Sequence, residues 1–375
     1  MESDGAPFRC GHARDADWRK AAASCLSQIG APDGRANFGW LYFSDQFAEA
    51  AEAILDAFRT TTKVDNWFGC AAIGVCATGH EYFDQPAIVA MLGTLPEDSY
   101  RIFASAQTGP EEFADQEAAW LARQLGCFGM VHADPNDNTA FAAMPALAAG
   151  CEGFFVGGVT ASRGRHAQIA GEIQDGGLTA LLLSADIPVS TGLTQGCSPI
   201  GEVHEITAAD GNILFELDGK PALDVFKADI GDVLARDLNR VSGYIFAALP
   251  VRGADWGDYM VRNLTGIDER HGAIAIGDDL SENNRIMFCR RDRATARADM
   301  QRMLGEVKRR LSGPPRAAFY HTCLARGANM FDGENAELRM IEEHLGDVPL
   351  VGFFGNGEIS HNRLYSYTGV LSVIT

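Results

Sequence analysis

The sequence predicts an α/β protein of the mixed α+β kind, with two lobes of mixed sheets covered by helices. Three observations carry this. One phrase of strand, polar turn, helix, glycine elbow and strand recurs three times, which marks a reused structural unit. Strands alternate with helices along most of the chain, the pattern of layered α/β folds. Asp-Gly turns between β-rich runs mark hairpins, which a purely parallel sheet would not contain.

The first copy runs from Gly39–Asp45 through a helix to Trp67–Gly74 and closes on Ala87–Leu92. The second runs from Met130–Asp134 through a helix to Phe154–Gly158 and closes on Leu178–Leu183. The third runs from Ala318–Cys323 through a helix to Leu350–Glu358 and closes on Thr368–Ile374. Glycine at each elbow predicts close approach of the backbone to another group.

In chain order, residues 1–14 are polar and read as a loose arm. Asp15 to Gly30 reads as a helix with Asp15 as N-cap and Gly30 as its stop. Ala31-Pro32-Asp33-Gly34 is a turn signature. Ser44-Asp45 are expected to cap the helix bearing Ala48, Ala51, Ile54, Leu55 and Phe58 at helical spacing. Glu111–Gln124 is another helix. From Ser184 to about Ala247 the chain turns β-rich. The runs Gly201–Thr207 and Asn212–Leu217 flank Asp210-Gly211, a hairpin signal, before a helix near Ala222–Leu238. Strands follow at Gly243–Leu249, Ala273–Ile276 and Arg285–Arg290. Arg293–Leu311 is a long helix with Met300, Met303, Leu304 and Val307 on one side. The expected division is an arm and helix over 1–34, one domain over 35–220 and a second over 221–375.

Composition narrows the function. Lys plus Arg number 31 against 50 Asp plus Glu, a net charge of −19 that repels nucleic-acid phosphates and anionic lipid. No signal-peptide pattern opens the sequence and no apolar run nears the length of a membrane span, so a cytoplasmic protein without membrane insertion is expected. Nine singly scattered cysteines fit free thiols in a reducing compartment.

Several segments together resemble the FIST family (F-box and intracellular signal transduction). They are Gly69-Cys70 with Gly74; Val156-Gly157-Gly158 with Pro199-Ile200-Gly201; Phe215–Ala222; Val261–Asp268; Cys323–Gly327; and Val348–Ile359. Their order and spacing, from about residue 35 onward, make the set specific. The resemblance implies FIST N and FIST C regions in a small-ligand sensor of signal transduction. No F-box or fused output module fits, so output is expected through a separate partner, a histidine kinase or another signalling protein. Some relatives look like haem-binding nitric oxide sensors, which makes haem b the alternative ligand to an amino acid or related metabolite.

The candidate ligand-binding residues are Gly69, Cys70, Gly74, Gly157, Gly158, Cys323, Arg326, Gly327, Gly357 and Glu358. Arginine can clamp a carboxylate and glutamate can accept from an ammonium group, a pairing suited to an amino acid. The alternative is that Arg326 and Glu358 pair with each other and fix two loops. Cys70 and Cys323 would be nucleophiles or redox sensors only with lowered pKa values, so a cysteine-dependent enzyme is a further alternative to the expected non-enzymatic sensor. If haem binds, His204, His321 and His361 are the candidate ligands, since a b-type haem needs one axial side chain and an apolar cleft. Other motifs fail. Thr139 and Pro145 spoil a calcium loop opening at Asp134. His204-Glu205 lacks a zincin partner, Ala208 standing in its place. Gly192–Gly196 reads as a glycine-flanked turn rather than a nucleophile elbow.

Overall fold

The structure, a computed structural model, describes residues 8–32, 34–124, 126–251 and 259–375. It is a mixed α+β protein of two compact units. One comprises Met1–Thr194, Asp299–Leu364 and Thr368–Thr375; the other comprises Gln195–Ala298 and Tyr365–Tyr367. The division expected at 220/221 falls inside the second unit.

The first unit holds all three copies of the recurring phrase. In each, a helix of about three turns returns the chain so that the two flanking strands lie parallel. Phe38–Ser44 pairs with Asn66–Ala72, Cys127–Ala133 with Gly153–Val159, and Ala317–Cys323 with Leu350–Gly355. The returning helices form for local reasons. Ala51–Thr62 buries Ile54, Leu55 and Phe58 and ends on Lys63 in the left-handed region, where its N–H reaches the Arg59 carbonyl. Asn138–Gly150 starts on Asp137, whose carboxylate accepts from Thr139 N. The closing strand of each copy then runs antiparallel to the first, as at Ala87–Gly93.

The elbows do more than turn. Each is followed by a hairpin that joins the sheet of another copy. The first copy's Gly74–Ala77 pairs with the third copy's Leu350–Gly355. The second copy's Ala167–Ala170 pairs with the first copy's Asn66–Ala72. The third copy's Glu358–Ser360 pairs with the second copy's Gly153–Val159. Three six-stranded sheets result, linked by a cyclic exchange. Their inner faces meet in one core that includes Trp40 and Phe68, Met130 and Val156, and Phe319 and Val351. Helices cover outer faces: Ala22, Cys25, Ile54 and Phe58 pack against Leu41, Phe43 and Trp67.

Several expectations are corrected. The segment taken for a loose arm supplies a strand, Arg9–Arg14, on Ala87–Gly93, because that sheet edge offers its main chain a ladder; residues 1–7 lie outside the described residues, as does Asp33 of the expected turn. Asp17, not Asp15, caps the first helix, Trp18–Ile29, accepting from Arg19 N. Ser44 caps nothing: a 3-10 turn, Asp45–Ala50, intervenes, and the Ser44 hydroxyl donates to the Gln85 carbonyl and accepts from Ala87 N. The helix expected over Glu111–Gln124 is two, Pro110–Gln116 and Ala118–Leu121. Gly192 is in a strand, Val189–Gln195, not a turn, and a β-carbon there would press on Met303 and Val307.

The second unit is antiparallel. Its strands follow the order Cys197–Asp210, Arg285–Arg291, Ile245–Pro250, Tyr259–Asp268, Ala273–Ile276, Ile213–Leu217 and Lys220–Pro221. Cys197–Asp210 also pairs with Ile213–Leu217 as the expected hairpin, so the sheet closes on itself like a barrel. Helix Ala222–Ala235 packs on this sheet through Leu223 and Phe226, with the Phe226 ring 4.8 Å from that of Phe288.

Candidate functional site

The glycine elbows approach protein backbone. A β-carbon on Gly69 would overlap the Leu41 carbonyl, one on Gly157 the Val131 carbonyl, and one on Gly352 the Tyr320 carbonyl. These three positions correspond in the three copies, since Leu41, Val131 and Tyr320 are their partners across the parallel pair. Gly74 leaves room for the Phe354 ring, at 2.8 Å from such a carbon, and Gly158 would set one 3.1 Å from the Gly357 carbonyl. Gly357 has φ 132, and its carbonyl accepts from Val159 N at 2.9 Å. Gly327 has φ 57 and lies against Phe354. The elbow residues are thus brought together by strand exchange.

In the third copy, Arg326 has zero exposure. Its Nε and Nη2 lie 2.8 and 2.6 Å from Glu337 Oε1, and Glu337 Oε2 accepts from Gly327 N at 3.2 Å. The carboxylate opposite Arg326 is therefore Glu337, which sequence reading missed. Its one signal was its place in the first turn of helix Ala336–Leu345, facing back to the loop. Glu358 is also fully buried. Oε2 accepts from Thr368 N and Oγ1 at 3.2 and 2.7 Å, while Oε1 has no hydrogen-bond partner among the described residues. Burial pushes its pKa up to about 8, so it holds a proton at neutral pH. Glu81 behaves alike, raised by burial to about 7 with Oε2 unpartnered. Nearby Cys323 is 8% exposed. Cys70 is fully buried and burial holds its thiol well above the usual range, the reverse of an activated nucleophile. All nine cysteines are free, and only Cys10 is not buried.

The three histidines differ in their surroundings. His321 is fully buried among aromatic rings, 5.2 Å from Phe353 and 6.3 Å from His132, which leaves no room for a porphyrin face. Burial drops its pKa to about 3, so the imidazole is neutral. His361 is exposed on a turn with φ 47 and meets the Phe154 ring at 5.0 Å. His204 has both ring nitrogens engaged by carboxylates. Among the described residues, no group of three or more His, Cys, Asp or Glu side chains is placed to hold a metal ion. The Asp134 segment that imitates a calcium loop is a turn, with Asp134 Oδ1 accepting from Asn136 N.

An open pocket of about 370 Å³ lies in the second unit, lined by Val203, His204, Glu205, Asp218, Asn284 and Arg285. The register of strand Cys197–Asp210 against Arg285–Arg291 jumps from Ile200–Phe288 to His204–Ile286, so Gly201–Val203 bulge out. Just past the bulge, His204 Nδ1 lies 2.6 Å from Asp218 Oδ2, and Nε2 lies 2.9 Å from Asp229 Oδ2. Burial pulls the imidazole pKa down, but the two carboxylates outweigh it and the net shift is upward. Asp218 Oδ1 also accepts from Glu205 N, and the carboxyl is held below its ordinary range, chiefly by His204. Glu205 and Arg285 are direct cross-strand partners. Both are exposed, and among the described residues neither is in an ion pair. Sequence reading found His204 alone of these six; the Asp218-Gly219 turn was visible, but its meeting with His204 was not.

The chain matches the family model of the FIST N domain over residues 37–220 and that of the FIST C domain over residues 222–361. The first structural unit draws on both matches. An uncharacterized protein of Mycobacterium tuberculosis, Rv0628c, is 28% identical over 375 residues, covering 95% of this chain and 96% of its own. An uncharacterized protein of Mycobacterium bovis, Mb0898c, is 27% identical over 384 residues with the same shares covered. No helix among the described residues is long and apolar enough to cross a membrane.

Proposed function

The chain belongs to the FIST family, and from that premise we propose that it is a sensory protein whose pocket beside His204 takes a small zwitterion, an amino acid or a close relative. One observation carries the reading. Glu205 and Arg285 face each other across adjacent strands and line the same 370 Å³ pocket, yet neither is in an ion pair among the described residues. Opposite charges in that position ordinarily meet. A zwitterion satisfies both, its carboxylate on the guanidinium and its ammonium on the carboxylate, and Asn284 lines the same pocket. The reading puts the ligand here rather than among the glycine elbows, because the elbow residues are occupied by one another.

Binding joins strand Cys197–Asp210 to strand Arg285–Arg291, and through His204 bears on helix Ala222–Ala235. A ligand that fits the joined arrangement better shifts the population toward it, and the altered surface is what a separate signalling partner, such as a histidine kinase, reads. The protein acts as a binder, with no chemical step.

Calorimetry and thermal-shift screening of the standard L-amino acids test this, each hit being repeated with its deaminated and decarboxylated analogues. Support is binding that needs both charges and is lost in Glu205→Ala and in Arg285→Ala. A folded protein that binds none of them, or binds one unaffected by either substitution, overturns it. A Soret band in the purified protein would replace the zwitterion with haem.

A further inference from the structure

The pocket floor is a fastening made through one imidazole. A carboxylate only accepts hydrogen bonds, so both His204 ring nitrogens must carry protons for the bonds to Asp218 and Asp229 to exist together. The fitting state is the imidazolium, and its side chain is only 11% exposed. The partners come from separate elements. Asp218 is in the left-handed region, φ 51, at the turn before Lys220–Pro221. Asp229 is on helix Ala222–Ala235, two residues before Gly231, where φ 77 and ψ 161 break the helix.

The sequence has cleared space for this contact. Gly201, in the bulge before His204, has φ 67, and any β-carbon there would overlap the Asp229 carboxylate. The fastening therefore depends on a bulge, a left-handed aspartate and an interrupted helix, all converging on one ring. Other charges facing it are few. Glu205 and Arg285 stand at the pocket rim, Lys220 acts on Asp218, and Lys227 on the same helix is 3.5 Å from Glu269.

We propose that His204 is a proton-dependent fastener that holds helix Ala222–Ala235 to the sheet and closes the pocket floor, so that floor and ligand affinity weaken together as pH rises. Its regulatory half rests on the pocket being the ligand site; the fastening half does not. The sign follows from the bonds. The folded imidazole holds its proton more tightly than the ordinary value of 6.5, so the contact is complete below that value and is lost as pH climbs through the folded one. Deprotonation removes one N–H, and one carboxylate then faces a lone pair.

The test is hydrogen exchange of residues 222–230 in the whole ligand-free protein between pH 6 and 9, corrected for the intrinsic pH dependence of exchange. Protection is expected to fall by about tenfold or more, the scale of one lost hydrogen bond to a charged group. His204→Gln should be poorly protected and flat with pH. Asp229→Asn, which keeps the Asp218 bond, should lie between them. Should His204→Gln fold poorly, the imidazole ¹⁵N shifts of the wild type report the same protonation directly. Unchanged protection across the range, or a His204→Gln profile like that of the wild type, overturns the fastener. Calorimetry with the L-amino acid that binds best, at the same pH values, tests the regulatory half. Affinity constant while protection falls rejects the link. If no amino acid binds at any pH, the pocket reading fails while the exchange data still decide the fastener.

Discussion

Arg326 and Glu337 form an ion pair at zero exposure, with Nη2 2.6 Å from Oε1. Removing one member leaves a buried charge without its counterpart. Glu337→Gln should cost about 3–5 kcal/mol, read as a shift in the urea midpoint. Arg326→Met with Glu337→Leu should recover much of that loss. Equal destabilisation by the single and double variants would show that the loss does not come from an unpaired buried charge.

Glu358 gives a stability that depends on pH in an uncommon direction. Its folded pKa is about 8 against an ordinary 4.5, so the folded state holds a proton the unfolded chain releases. The penalty is absent below 4.5, grows as pH rises and is complete above about 8. Glu358→Gln should therefore gain stability relative to wild type with every step from pH 5 to 8.5. Parallel denaturation profiles would refute the assignment to Glu358.

The glycines at matched elbow positions should not tolerate a methyl group. Gly352→Ala should cost about 3 kcal/mol, because the neighbouring strand's backbone cannot yield. Gly164→Ala, with nothing within 4 Å of the added carbon, serves as the control and should melt with the wild type. The comparison is made by thermal denaturation.

Charge exchange tests the pocket more stringently than deletion does. Glu205→Arg or Arg285→Glu alone should abolish zwitterion binding in calorimetry. The double exchange should restore part of it, since a zwitterion can turn end for end. The side chains are exposed, so stability should stay within about 0.5 kcal/mol.

Thiol labelling addresses catalysis. Iodoacetamide at neutral pH should leave Cys70 unmodified in the native protein, because burial keeps the thiol protonated. Rapid labelling of Cys70 or Cys323 ahead of the other cysteines would favour an enzyme.

The recurring phrase was legible because each copy is local, about fifty-five residues of alternating strand and helix signals. The exchange was not, since pairing Gly74–Ala77 with Leu350–Gly355 joins residues far apart in sequence, and no local pattern names a distant partner. The elbow glycines show the same limit. Their need for close approach was readable at Gly69 and Gly157, but a glycine admits ligand and backbone equally well. Gly352, the true third equivalent, lies inside the apolar run Leu350–Phe354, where a glycine carries no turn signal, whereas Gly355-Asn356-Gly357 has the composition of a turn. Arg326 and Glu358 were read as a ligand clamp or as a pair with each other, and Glu337 is the residue that closes on the arginine. Asp229 and Arg285 carried no signal, because only the closed sheet of the second unit brings them beside His204.

The hairpin exchange also sets a timetable for synthesis. The hairpin of Gly74–Ala77 and His80–Phe83 finds its sheet on Leu350–Gly355, which the ribosome makes after both earlier copies. Until then that hairpin has no sheet to join, and the edge of Gly153–Val159 in the second copy waits for Glu358–Ser360, whereas the first copy's own edge is filled earlier by Ala167–Ala170. The nascent chain must carry an undocked hairpin and one open sheet edge until the third copy is made, and a chain stalled before residue 350 is a candidate for chaperone capture or aggregation. Joining the termini and reopening the chain between copies would change which edge waits longest while the strand pairings of the finished fold stay the same.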